Sequence, residues 1–335
     1  MRGRVLRGLR RTGIVVVTII VVVLALAALY LAWDDLAPVH VTTAAPGFTV
    51  DAAGVPTHVE RWPAVHPSGQ PPLVLIPGFA ESTYVFSRLA PRLAADRDVY
   101  AYDVRGYGFT AHQGPYTLAA DTDQLAGLVA TLHLTRPIVL GHSLGAAIAL
   151  SLALRDPGSV TGVVAANGDG TPYFGNNRSG AGGGGGGLRS LLTLPPLGPA
   201  LVTAVVRHRD PIRRLVASQC GPGCPSDDRA VDRWRAPFLA PGGVSAFLAI
   251  SRQPLIGLTD DQERQIRVPT AVFSSSDDRS FDHTQAVATA ARLRTGLVAE
   301  LPGARHLALL GEPDQVAAAV RPQLTALAAE ATPRP

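Results

Sequence analysis

The sequence predicts an α/β fold, a mostly parallel sheet covered by helices on both faces, and three observations carry that prediction. Short apolar runs recur at Leu73-Val74-Leu75-Ile76, Pro137-Ile138-Val139-Leu140 and Val268-Pro269-Thr270-Ala271-Val272-Phe273, the pattern of strands buried on both faces. Longer helix-forming stretches alternate with them, which gives parallel neighbours joined by crossovers. Finally, Leu140 runs through Gly141-His142-Ser143-Leu144-Gly145 directly into Ala146-Ala147-Ile148-Ala149-Leu150, a strand, a tight turn and a helix. A chain of 335 residues that is 47% hydrophobic suits one such domain of roughly 250 to 300 residues with appendages.

Taken in order, residues 1–13 form a basic tail, and Ile14 to Trp33 form an apolar run without a charged side chain. As a helix, about twenty such residues cross roughly 30 Å of hydrocarbon. Arginines before it and Asp34 and Asp35 after it orient the tail to the cytoplasm, and Tyr30 and Trp33 suit the far interface. A secreted protein cut at Ala25-Leu26-Ala27 by a signal peptidase is the alternative. Residues 34–46 read as a spacer. Phe48-Thr49-Val50 and Thr57 to Trp62 then predict a hairpin about Ala53-Gly54.

The core is expected over 47–170 and 268–330. It holds the Leu73 strand, a helix over 84–95, a strand at Asp98 to Tyr102 and a helix over 118–132. After these come the Ile138 strand, the elbow helix and a strand at Val160 to Ala165. Residues 171–267 break this rhythm. They are rich in glycine and proline, with glycine alone from Gly182 to Gly187, and predict a cap laid over the sheet. Within it, 188–206 and 238–258 are apolar enough for helices, with Leu191, Leu192, Leu194, Leu197 and Phe247 as candidate pocket residues. The pattern resumes at Val268 and ends in a helix over 314–328.

Charge and composition remove several function classes. The net charge of +4 comes from Arg2, Arg4, Arg7, Arg10 and Arg11, without which 25 basic residues face 26 acidic ones, so no basic stripe is left for nucleic acid. Lysine is absent, which excludes a phosphate-binding loop of the G-x-x-x-x-G-K type, a lysine Schiff base to pyridoxal phosphate and a Ser-Lys pair. Cys220 and Cys224, in Cys-Gly-Pro-Gly-Cys, predict a small disulfide loop in an oxidising compartment. Two cysteines are too few for zinc, and His208, Asp227 and Asp228 fall in no metal-binding spacing, so no metal is expected.

Ser143 is the candidate nucleophile. A serine hydroxyl is weakly nucleophilic and needs an exposed apex beside a base and backbone donors, which a strand-to-helix elbow supplies. Gly141 and Gly145 leave room for the turn, and the following helix directs its open N–H groups at a developing oxyanion.

From Phe48 to Ala329 the chain resembles the α/β-hydrolase family, motif by motif. Leu75-Ile76-Pro77-Gly78-Phe79 is similar to the family's His-Gly turn after the third strand, with Pro77 in place of the histidine. Asp103-Val104-Arg105-Gly106-Tyr107-Gly108 resembles its Asp-x-Arg-Gly-x-Gly element, which is structural. The family's order of serine, acid and histidine implies Asp278, in Ser274-Ser275-Ser276-Asp277-Asp278-Arg279, as the acid. Asp277 beside it, or Asp169 in Asn167-Gly168-Asp169-Gly170, are the alternatives. Leu301-Pro302-Gly303-Ala304-Arg305-His306 resembles the loop of the catalytic histidine, which makes His306 the base. His142 is expected to pack or hydrogen-bond behind the site, and His283 to be solvated.

The resemblance implies a serine hydrolase that cleaves an ester-like bond of an apolar or lipid-like small molecule through an acyl-enzyme. Backbone N–H groups of Leu144 and Phe79 would hold the oxyanion, and no cofactor is needed. Acyl transfer or cofactor-free perhydrolysis would use the same three residues, and a non-catalytic binding protein could keep the fold. Serine at the elbow argues against dehalogenase and epoxide hydrolase chemistry, which requires aspartate there. The sequence sets no oligomeric state.

Overall fold

The computed structural model describes residues 2–36, 46–170, 194–253 and 257–330, and of residues 2–14 the backbone alone. Helix α1, Arg2–Leu36, contains the apolar segment Val15–Asp35, whose mean hydropathy is 3.0 and none of which is buried. By length and composition it could cross a membrane or serve as a signal sequence.

The domain is built on one eight-stranded sheet. Its strands are β1 (Phe48–Ala52), β2 (Val55–Trp62), β3 (Leu73–Ile76), β4 (Val99–Tyr102), β5 (Ile138–His142), β6 (Gly162–Ala166), β7 (Thr270–Ser275) and β8 (Val298–Leu301), in the order β1-β2-β4-β3-β5-β6-β7-β8. β1 and β2 form the antiparallel hairpin expected about Ala53-Gly54, β2 runs antiparallel to β4, and every later pair is parallel. Successive side chains of a strand face opposite sides, so each strand feeds two cores. Leu73, Leu75, Ile138, Leu140 and Phe273 enter one. Val74, Ile76, Val139, Val163 and Val272 enter the other.

The helices after α1 are α2 (Ala90–Leu93), α3 (Leu118–Thr131), α4 (Leu144–Arg155), α5 (Leu197–Arg207), α6 (Arg209–Cys220), α7 (Asp228–Leu239), α8 (Gly243–Arg252), α9 (Asp260–Gln265), α10 (His283–Leu293), α11 (Ala308–Gly311) and α12 (Pro313–Glu330). α3 and α4 pack on the second core, while α12 covers the first. The helix expected over 84–95 is instead a 3₁₀ turn at Thr83–Phe86 followed by the single turn of α2, whose second residue is Pro91.

Among the described residues, five helices, α5 to α9, stand between β6 and β7. Leu191, Leu192 and the glycine run lie outside the described residues. The helix expected over 238–258 divides: α7 ends at Leu239, capped by Ala240, and Gly242 at φ +84° stands at the N-cap of α8. Leu194 is 51% exposed. α5 also meets α1: the Arg207 guanidinium lies 4.5 Å over the Trp33 ring and pairs with Asp34.

The predicted disulfide is corrected by the structure, in which Cys220 and Cys224 are free thiols. Cys220 ends α6 fully buried, its Sγ turned to the Leu307 carbonyl at 3.7 Å.

Candidate active site

Three loops converge at the C-terminal ends of the parallel strands. The first is the elbow. Ser143 sits between β5 and α4 at φ 53° and ψ −119°, a conformation that costs energy for any residue with a side chain and that lifts the hydroxyl out of the turn. The elbow is tight enough that a Cβ on Gly145 would lie 2.4 Å from the Ile76 carbonyl oxygen. Leu144 opens α4, so its N–H belongs to the helix end that has no intrahelical acceptor.

The second and third loops follow β7 and β8. Asp278 Oδ2 lies 2.6 Å from His306 Nδ1, while Oδ1 accepts from the N–H groups of Ser280 and Phe281 at 2.7 and 3.2 Å. The Asp278 side chain is fully buried and that of His306 is 12% exposed, so water competes little for their contact. Asp277 points elsewhere and takes the Ser276 hydroxyl at 3.0 Å. Asp169 pairs with Arg292 at 3.0 Å. Of the three candidate acids, Asp278 is the one brought to His306. Ser143 Oγ and His306 Nε2 make no hydrogen bond among the described residues, a link that tightens in many enzymes only when substrate arrives.

Two further residues, which the sequence did not single out, join these loops. Glu81 Oε2 accepts the Gly78 N–H at 2.7 Å and lies 2.9 Å from His142 Nδ1. The His306 carbonyl receives His142 Nε2 and Asn167 Nδ2, each at 2.9 Å. His142 thus bonds behind the site, as expected, its ring centroid 4.7 Å from that of His306. Burial opposes the charge of Glu81, but the adjacent imidazole and the Gly78 N–H more than offset it and hold the carboxyl below its ordinary range. Burial likewise opposes the His142 charge, and the Glu81 carboxylate overcomes it and raises the imidazole. Ligand atoms of Glu81, His142 and His306 lie within 4.8 Å of one another, close enough for a metal ion. However, both His142 nitrogens are spent in hydrogen bonds, so the cluster is a hydrogen-bonded pair and not a ligand set.

Above this lies an aromatic wall. Phe79 packs on Tyr107 and Phe247 at centroid distances of 5.8 and 5.7 Å, and Phe247 packs on Phe238 at 5.6 Å. A cavity beside residues 80–82 is lined by Tyr107, Trp234, Pro237, Phe238 and Phe247. Phe247 is therefore a pocket residue as expected, and Trp234 is one the sequence left unmarked. His283 is exposed and pairs with Glu300 at 2.6 Å.

The profile of the alpha/beta hydrolase fold matches residues 71–313, which contain the elbow, both later loops and the intervening helices. The chain belongs to the α/β-hydrolase family. Among curated relatives, Lipase LipV of Mycobacterium tuberculosis is 33% identical over 107 residues, 32% of this chain and 40% of that protein. The 2-(acetamidomethylene)succinate hydrolase of Mesorhizobium japonicum is 37% identical over 112 residues, 33% of this chain and 40% of the relative. The matched stretch thus spans about two fifths of each relative's length. Of solved structures, a serine hydrolase involved in carbazole degradation superposes with a TM-score of 0.65 at 21% identity, covering 83% of this chain and 98% of its own. A bacterial membrane phospholipase A superposes with a TM-score of 0.64 at 22% identity, covering 98% of this chain and 99% of its own. These likenesses bear on the fold.

Proposed function

We propose that this hydrolase-family protein is a serine hydrolase that cleaves an ester-like bond of an apolar substrate through an acyl-enzyme. His306 takes the Ser143 proton as the hydroxyl attacks the carbonyl carbon, and the C–O bond to the leaving alcohol breaks as His306 returns that proton to it. Water, activated by His306 in turn, releases the acid. Asp278 holds the imidazole tautomer and stabilises its charged form, and the Leu144 and Phe79 N–H groups receive the oxyanion. The observation that carries this is the 2.6 Å contact between buried Asp278 and His306, beside an elbow whose strained apex is serine. The aromatic wall favours an apolar acyl or alcohol part. Transfer to an acceptor other than water, alcohol or peroxide, would pass through the same intermediate.

In this proposal residues 47–170 and 268–330 are the catalytic core, 171–267 the cap, and 34–46 the spacer to α1. α1 is a single-pass anchor over residues 14–33 with the tail of residues 1–13 in the cytoplasm and the catalytic domain outside, and a cleaved secretory signal is the competing outcome. The test is a fluorophosphonate probe followed by peptide mapping. Labelling at Ser143, lost in Ser143→Ala, is the expected result. Folded protein that hydrolyses p-nitrophenyl esters of no chain length and stays unlabelled would overturn the proposal in favour of a binding protein. Mass analysis of the membrane-extracted chain decides between anchor and cleaved signal.

A further inference from the structure

We propose that Glu81 and His142 form a positioning strut that ties the oxyanion turn to the backbone of His306, so that donors and base keep one spacing about Ser143. This rests on the serine hydrolase function proposed above.

His142 meets three parts of the site at once. It precedes Ser143 in the chain, so its main chain belongs to the elbow. Its Nε2 lies 2.9 Å from the His306 carbonyl oxygen, an atom that can only accept, so Nε2 carries a proton. Its Nδ1 lies 2.9 Å from Glu81 Oε2, and the same oxygen accepts the Gly78 N–H at 2.7 Å. A continuous line of hydrogen bonds therefore runs from the turn bearing Phe79, through Glu81 and His142, to the residue whose ring must take the serine proton. Gly78 is wedged in this line, since a Cβ there would fall 2.8 Å from Ser143 Cβ and 3.1 Å from the Glu81 carboxyl. Ionisable groups facing His142 are Glu81, His306 and Asp278.

Placement argues for positioning in preference to bulk stability. Desolvating an acid and an imidazole is costly, and apolar side chains of similar volume would fill such a site as stably or more so. His142 is fully buried and Glu81 is 6% exposed, and the pair stands where the Gly78 turn, the elbow and the His306 loop meet. What it supplies there is directional. Asn167 Nδ2 donates to the same carbonyl at 2.9 Å, so the His306 backbone is held from two sides while Asp278 holds its ring. Misplacing a base by about 1 Å can cost about a hundredfold in rate.

The experiment compares kcat and KM on a short p-nitrophenyl ester for the full chain and for Glu81→Ala, His142→Ala, Glu81→Ala/His142→Ala and Glu81→Gln. Each alanine variant should lose about tenfold or more in kcat, with KM within about twofold. The double variant should be no worse than the poorer single one, because both cut the same line. Glu81→Gln, whose amide oxygen in the place of Oε2 can still accept from both the Gly78 N–H and Nδ1–H, should recover to within about fivefold of the unaltered enzyme. Unchanged kcat, losses confined to KM, or losses that multiply in the double variant would overturn the strut. Histidine ¹⁵N spectra of the unaltered protein decide independently of variant folding: Nε2 of His142 must be protonated at pH 7.5, and an unprotonated Nε2 refutes the proposal. If the unaltered protein neither hydrolyses esters nor reacts with the fluorophosphonate, the proposed function falls instead, and the spectra alone judge the strut.

Discussion

Two acid–imidazole pairs meet at the end of the sheet, their rings tilted at 48°, and their hydrogen bonds are spent differently. In Glu81–His142 both ring nitrogens are committed, one to the carboxylate and one to the His306 carbonyl. In Asp278–His306 the carboxylate holds Nδ1 and two backbone N–H groups fix the carboxylate. Nε2 of His306 has no partner among the described residues. An imidazole can shuttle a proton only through a nitrogen that is not already engaged, so a carboxylate and an imidazole make a fixture in one place and, in the proposed mechanism, a base in the other.

The largest effects should break that distinction outright. Ser143→Ala and His306→Ala should each lower kcat by about 10⁴ or more while leaving the melting temperature nearly unchanged, measured by ester hydrolysis and calorimetry on the same samples. Asp278→Asn should cost about 10³ to 10⁴ in kcat, because the amide can donate to Nδ1 and select the wrong tautomer. Asp277→Asn should leave kcat within about threefold, and a comparable loss there would move the acid one residue back.

The remaining candidate acid should report on stability instead. Asp169 is paired with Arg292 at 3.0 Å, and both side chains are largely buried, so Asp169→Asn should cost about 1–3 kcal/mol in chemical denaturation with kcat preserved. Arg292 keeps Glu263 as a second partner, which limits the loss.

Asp121 extends the comparison to a buried acid without a close partner. Its nearest cation is Arg105 at 4.0 Å, and burial raises its pKa to about 7, partly countered by that arginine. Between the unfolded value of about 3.8 and this folded value the native state binds the extra proton, so stability falls as pH rises through that window and stays low above it. Asp121→Asn should therefore stabilise the protein at pH 8, by up to about 4 kcal/mol on the scale of 1.36 kcal/mol per pKa unit, and change little at pH 4. Equal gains at both pH values would contradict this. The smallest effect is expected from Arg207→Ala, which removes the ring contact with Trp33 and should loosen α5 by about 1 kcal/mol, read as faster amide exchange along that helix.

The fold was legible because its strands are short, apolar and bounded, and because the elbow writes strand, turn and helix into thirteen or so consecutive residues at 138–150. β8 was missed because it is a four-residue edge strand, mostly exposed, whose sequence, Val298-Ala299-Glu300-Leu301, is broken by an acid. α6 and α7 were missed because their arginines and aspartates, paired as Arg209–Asp232 and Arg213–Asp228, lower the apolar content that marks a helix face. Ser143, Asp278 and His306 could be nominated because each follows a strand in the family's order. Glu81 could not, since its role depends on a histidine 61 positions away. The signal that was available is an acid placed three residues after Gly78, within reach of that glycine's N–H. Asn167 left a similar trace in Asn167-Gly168 at the end of β6, where it adopts φ 48°.

The grip of Arg207 on Trp33 and Asp34 ties α1 to α5 by a route other than the intervening chain. α1 then acts on the catalytic domain as a mast acts on its rigging. In the anchored arrangement proposed above, whatever medium seats that mast would bear, through α5, on the helices that carry Trp234 and Phe247 at the rim of the cavity.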